Sequence, residues 1–117
     1  PYLAEDWVIV THLFYDGEKV MKLIAMESEL PGATAVQFQQ HSRAEALRVW
    51  ELYQAGIVRQ VYFRADRPEA VLVLECADVA EAESALQTLP LVAAGLITFE
   101  IIPLAPYPGF ARLFAAD

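Results

Sequence analysis

Apolar runs of differing period follow one another along this chain, with breaks at Asp16-Gly17, Pro31-Gly32, Gly56, Asp66 to Glu69, Pro90 and Gly95. Trp7 to Phe14 and Val20 to Leu30 are β-rich runs either side of Tyr15-Asp16-Gly17-Glu18. An Asp-Gly between apolar runs is a hairpin signal, because both residues tolerate the positive φ of a tight turn. From about Thr34 to Ala55, the apolar positions Ala46, Val49, Trp50 and Tyr53 recur at helical spacing, and Gly56 supplies a stop. Ile57 to Ala65 and Ala70 to Ala77 predict an antiparallel hairpin across a charged turn, whose Pro68 cannot serve a central strand. Asp78 with Glu81 forms a helix-starting capping box. Ala82, Ala85, Leu86 and Leu89 then make one apolar stripe before Pro90 and Gly95. Leu96 to Leu104 reads as a last strand, and Ala105 to Phe110 opens an aromatic tail expected to be extended.

From residue 21 to 117 the predicted order is βαββαβ, a ferredoxin-like α+β domain whose two helices cover one face of a four-stranded antiparallel sheet. The other face, with Tyr62, Val71, Val73 and Thr98, is left as a wide, partly apolar surface. Exposing such a surface to water is unfavourable, so a homodimer or larger homo-oligomer is expected. Residues 1–20 form an N-terminal extension with two readings: sequence upstream of a start at Met21, or an extra strand hairpinned through Asp16-Gly17.

Composition sharpens this picture in three places. The 117 residues suffice for one core, and their 56% hydrophobic content exceeds the roughly 45–50% of ordinary soluble domains, again favouring burial against a partner. The net charge of −8, with the eight Lys and Arg scattered, opposes binding to a phosphate backbone, so no nucleic-acid partner is expected. No apolar run reaches the length of a bilayer span and no signal pattern opens the chain, so a cytoplasmic protein without membrane association is expected.

Strand alternation sorts the candidate chemistry. Placing apolar residues under the helices assigns Ile24, Met26, Val61, Phe63, Leu72, Leu74, Cys76, Ile97, Phe99 and Ile101 to the helix side. The open face then carries Glu27, Glu29, Gln60, Tyr62, Arg64, Val71, Val73, Glu75, Thr98 and Glu100. A carboxylate partly desolvated there, Glu27 first, could abstract a proton beside a carbonyl while Arg64 or Tyr62 steadies the enolate oxygen. The same charges could equally be cross-strand ion pairs that align two sheets. Glu75, Gln60, Thr98 and His41 are candidate ligand contacts, with Trp50 and Tyr53 as aromatic walls. These rings serve as well in a core or dimer contact.

Other chemistries find little purchase. His12 and His41 lie in distant segments with no i, i+4 histidine pair or His-x-x-Glu arrangement, so no metal is expected. The lone cysteine, Cys76, sits in an apolar run with no activating cation beside it and reads as a buried structural thiol. Without Gly-x-Gly-x-x-Gly, a phosphate-binding loop or a Ser, His and Asp set, no cofactor is expected.

Leu52 to Gly56 leading into Arg59, the strand ending Tyr62-Phe63-Arg64, the strand finishing Leu74 to Asp78, and Leu89-Pro90-Leu91 running to Ile101 to Leu104 resemble, in combination, the muconolactone isomerase-like members of the dimeric α+β barrel superfamily. The resemblance implies two sheets packed face to face, ligand pockets between sheet and helices or inside the barrel, and an isomerase working by proton transfer on a small hydrophobic carbonyl or lactone metabolite. The chain departs from those isomerases in its residues 1–19 and in its apolar tail Tyr107 to Phe114. Two other functions stay open: a non-catalytic dimerising, small-molecule-binding module of a stress response or pathway, and the cofactor-free oxygenase or cyclase chemistry other members of the superfamily host.

Overall fold

The computed structural model describes residues 20–115. The N-terminal extension, for which the sequence left open an extra strand, lies outside these residues, as does His12. The elements run β1 (Met21–Glu29), α1 (Ala35–Gln54), β2 (Val58–Phe63), β3 (Ala70–Cys76), α2 (Val79–Gln87), α3 (Pro90–Ala93) and β4 (Ile97–Pro103). All sheet pairings are antiparallel, in the spatial order β2-β3-β1-β4. This is the ferredoxin-like α+β arrangement expected from the sequence, with the break at Pro90 resolved into a separate single turn, α3.

Local signals set the helix boundaries. Thr34 caps α1 reciprocally: its hydroxyl accepts from the Gln37 amide at 3.3 Å, and the Gln37 Oε1 accepts from the Thr34 amide at 2.9 Å. Gly56, at φ +80°, takes the left-handed conformation that lets the chain leave α1 and turn into β2. Asp78 caps α2 by accepting from the Glu81 amide at 2.8 Å, and the Glu81 carboxylate reaches back to the Ala77 amide.

Register decides which residues become core. In β1, Leu23 faces Leu74 and Ala25 faces Leu72 across β3, and Ala25 faces Ile101 across β4. Leu23, Ala25, Leu72, Leu74 and Cys76 are buried beneath the helices with Leu52 of α1 and Ala82, Leu86 and Leu89 of the α2 region. A second cluster of Leu91, Leu96 and Ile97 closes one end, with Phe38 and Phe99 packed on it. Desolvation in this core pushes the Cys76 thiol up, consistent with a structural role.

One assignment made from alternation, the phase of β1, is corrected. Ile24 and Met26 were expected under the helices, but they pair with Val73 and Val71 on the open face, and Leu23 and Ala25, both fully buried, take their place. Glu27 and Glu29 share the parity of Leu23 and Ala25, so they belong to the helix side. The cause is that β1 is apolar on both faces, which removes the polar-apolar contrast that alternation relies on. In β2, a register shift between Val58 and Gln60 accommodates one extra residue. Val58 therefore reaches the core while Val61 and Phe63 keep the same face. Val61 and Phe63 do lie on the helix side, yet on the edge strand β2 they remain 45% and 72% exposed.

The tail is also not simply extended. Gly109–Leu113 forms a 3₁₀ turn in which the Tyr107 ring packs over Gly109 and meets Phe110 edge-to-face at 5.1 Å.

Leu23→Ala removes a fully buried side chain at the centre of the sheet and is expected to cost about 3 kcal/mol, whereas Asp78→Ala, which deletes only a cap, costs about 1 kcal/mol. Urea unfolding followed by circular dichroism measures both. Equal losses would contradict the β1 phase described above.

Candidate functional site

Helix α1 crosses the sheet without sealing against it. Leu52, near its C-terminal end, is its one buried residue. The gap is a pocket of about 690 Å³. Residues Phe38, Ser42, Glu45, Val49 and Tyr53 recur every three to four positions and so form one stripe along the helix, with Ala46 and Trp50 beside it. The opposite wall comes from the sheet: Glu27 of β1, Val61 and Phe63 of β2, Ala70 and Leu72 of β3, and Phe99 of β4. Leu89 and Leu91 close one end. The exposure of Val61 and Phe63 is thus exposure to this cleft.

Trp50 and Tyr53 stack at 5.6 Å with an interplanar angle of 22°, making a flat aromatic wall. Against these apolar surfaces stand two carboxyl groups and the Ser42 hydroxyl. Burial raises the Glu27 carboxyl from its ordinary 4.5 to about 7; the charges of Glu45, Glu69 and Glu29 add to this, and the Ala70 amide opposes it. Desolvation also raises Glu45, against the Leu91 amide, which donates to its Oε1 at 2.9 Å, and against the charge of His41. Ser42 donates to the Gln39 carbonyl at 3.1 Å from within α1. A carboxyl that ionises near neutrality, open to an apolar cleft, can exchange a proton with a bound organic molecule.

The residues singled out in the sequence separate into three groups. Glu27, Trp50 and Tyr53 come together in the pocket. His41 is half-buried one helical turn before Glu45 and acts on it through charge, without lining the pocket. The remainder lie elsewhere. Tyr62 is on the open face, donating to the Gln60 Oε1 at 3.2 Å. Arg64 is held by Asp66 through two hydrogen bonds of 2.9 and 2.7 Å. Glu75 faces Arg59 at 3.9 Å, and Thr98 has the open-face parity of β4. The expectation that Glu27, Tyr62 and Arg64 share one face therefore fails, because the phase of β1 puts Glu27 on the other side of the sheet.

Glu45 and Ser42 were missed. Their signal was present as polar members of the α1 stripe Phe38, Ser42, Glu45, Val49, Tyr53, but a glutamate in a helix of mixed polarity is ordinarily a solvated residue.

Among the described residues, no helix is long and apolar enough to cross a membrane. Curated protein sequences include none that matches this chain significantly. Residues 22–109 match the muconolactone delta-isomerase family, a span that takes in β2, β3, β4 and all of β1 but Met21, both sides of the pocket and the start of the tail. The chain belongs to the muconolactone delta-isomerase family.

Proposed function

We propose that this protein is a proton-transfer isomerase acting on a small hydrophobic carbonyl or lactone metabolite held between α1 and the sheet, with Glu27 as the proton carrier. The observation that carries the proposal is Glu27 itself: a half-buried carboxyl raised to about 7, opening into an apolar pocket of about 690 Å³, a size usual for organic ligands. Family membership supports the reaction class.

The chemistry follows from the residues present. As a carboxylate, Glu27 removes a proton from the carbon next to a lactone carbonyl or at its vinylogous position. Its electrons delocalise through the ring to the carbonyl oxygen, and the carboxylic acid so formed returns the proton at the other end of the conjugated system. The double bond moves and no net proton is consumed. A base whose proton affinity lies near neutrality serves both steps, since neither form is too stable to react. The developing oxyanion needs a donor, and the pocket offers the Tyr53 hydroxyl, Glu45 when protonated, or the Ser42 hydroxyl once it turns away from the Gln39 carbonyl. Arg64 and Tyr62 have no part in this, being engaged elsewhere.

The assembly proposed is a homodimer closed through the open sheet face, the dimeric α+β barrel. Ile24, Met26, Val71, Val73 and Ile102 form a half-buried apolar strip on that face, and covering it with a second copy removes it from water.

The conversion of α-angelica lactone to its conjugated β isomer, followed by ultraviolet absorbance, tests the catalytic reading. Glu27→Gln is expected to lower kcat by about 100-fold or more with little change in KM, and the native kcat/KM is expected to rise with pH through about 7 as the carboxylate form accumulates. A variant as fast as the native chain removes Glu27 from the mechanism, and ligand binding without turnover would identify a binding module. In light scattering, Val73→Lys is expected to turn a dimeric or larger assembly into monomers. A native chain that is already monomeric at micromolar concentration excludes the barrel.

A further inference from the structure

Resting on the site proposed above, we propose that the substrate is an uncharged lactone or enone with an apolar substituent and no carboxylate of its own. The pocket wall contains two carboxyl groups, Glu27 and Glu45, one aliphatic hydroxyl, and otherwise aliphatic and aromatic side chains; Lys, Arg and His are absent from the described lining. An acidic ligand would bring a further carboxylate into a partly desolvated cleft that already holds two carboxyl groups and no counter-ion, where like charges repel more strongly than in water.

The cations of the described residues are directed elsewhere. Arg48 donates to Thr88 at 2.8 Å and pairs with Glu51 at 3.3 Å. Arg59 faces Glu75, Arg64 is held by Asp66, and Arg67 pairs with Glu69 at 2.6 Å. Lys22, Arg43 and Arg112 are exposed and do not line the pocket. His41 acts on Glu45 through charge, but from outside the pocket wall.

A cationic ligand fits no better. Paired with Glu27 it would hold that carboxylate ionised and occupied, unable to take a proton from carbon. What remains is a neutral molecule whose carbonyl accepts one hydrogen bond and whose apolar part lies against Trp50, Tyr53, Val61 and Phe63. This separates the chain from an isomerase of muconolactone itself, which is a carboxylate at neutral pH.

Isothermal titration of the full chain at about pH 7.5 with muconolactone and with its methyl ester, two ligands differing in that one charge, tests the inference. The ester is expected to bind at least about 10-fold more tightly than the acid. In the double variant Glu27→Gln, Glu45→Gln the gap is expected to narrow to about threefold or less, with the change falling on the acid. Acid binding as tight as the ester, or tighter, overturns the inference. Ala46→Trp, which fills the pocket from an exposed position of α1, separates that failure from failure of the site. If it abolishes ester binding while the acid is preferred in the native chain, the site stands and only the charge argument falls. If ester binding survives it in a variant with an unchanged unfolding midpoint, the site reading falls and the inference with it.

Discussion

The pairing of β1 with β3 is the constraint on which this molecule depends. Leu23 against Leu74 and Ala25 against Leu72 fix the phase of β1, and in a strand a shift of one residue would exchange its two faces. With this register the two fully buried residues of β1 lie under the helices and the strand's next residue of that parity, Glu27, comes to the same side just where α1 has drawn away from the sheet. One register thus both completes the core and delivers a carboxyl to the cleft.

The cleft follows from how α1 is anchored. Its C-terminal end is fixed by Leu52 in the main core and by the turn through Gly56 into β2. Its N-terminal end is held by the Thr34 cap and by Phe38 on the second cluster. Between these anchors the helix presents Ser42, Glu45 and Ala46, residues too small or too polar to fill the space down to Ala70 and Leu72. Ala70 matters in the same way, since it is the small residue of β3 opposite Phe63. A site of this kind is made where large side chains are withheld, and the carboxyl groups left there lose solvation, which is why both hold their protons more tightly than in water.

Much of this was legible in the sequence because the signals were local. Gly56, the Asp78 and Glu81 pair, Pro90 and the Asp66 to Glu69 turn each act on a few neighbouring residues, and the elements they bound were found close to where they lie. The face of β1 was not legible for a different reason. Met21 to Met26 offers apolar side chains at both parities apart from Lys22, so the strand's phase depends on Leu72 and Leu74, about fifty residues away. The Arg59 bulge hid Val58 in the same way, since an inserted residue breaks alternation without leaving a mark on composition. Trp50 and Tyr53, which line the pocket, were legible as aromatic surface by their chemistry, while Glu45 was concealed by how commonly glutamate faces water on a helix.

Placing Glu27 on the helix side changes how the two faces of the sheet divide their work. Under the assembly and reaction proposed above, a Glu27 on the open face would require one surface both to exclude water at an interface and to admit a substrate, and each change in packing would alter the carboxyl's proton affinity. With the register observed, the open face carries Ile24, Met26, Val71 and Val73 and needs only to be apolar, while its polar residues Tyr62, Gln60, Glu75 and Arg59 satisfy one another. The helix face is free to keep an unfilled cleft, because the core that stabilises it lies beside the cleft instead of within it. Substitutions at Trp50, Val61 or Phe63 can therefore reshape the pocket wall with little cost to the fold, whereas Leu23, Ala25 and Leu72 hold both the fold and the position of Glu27.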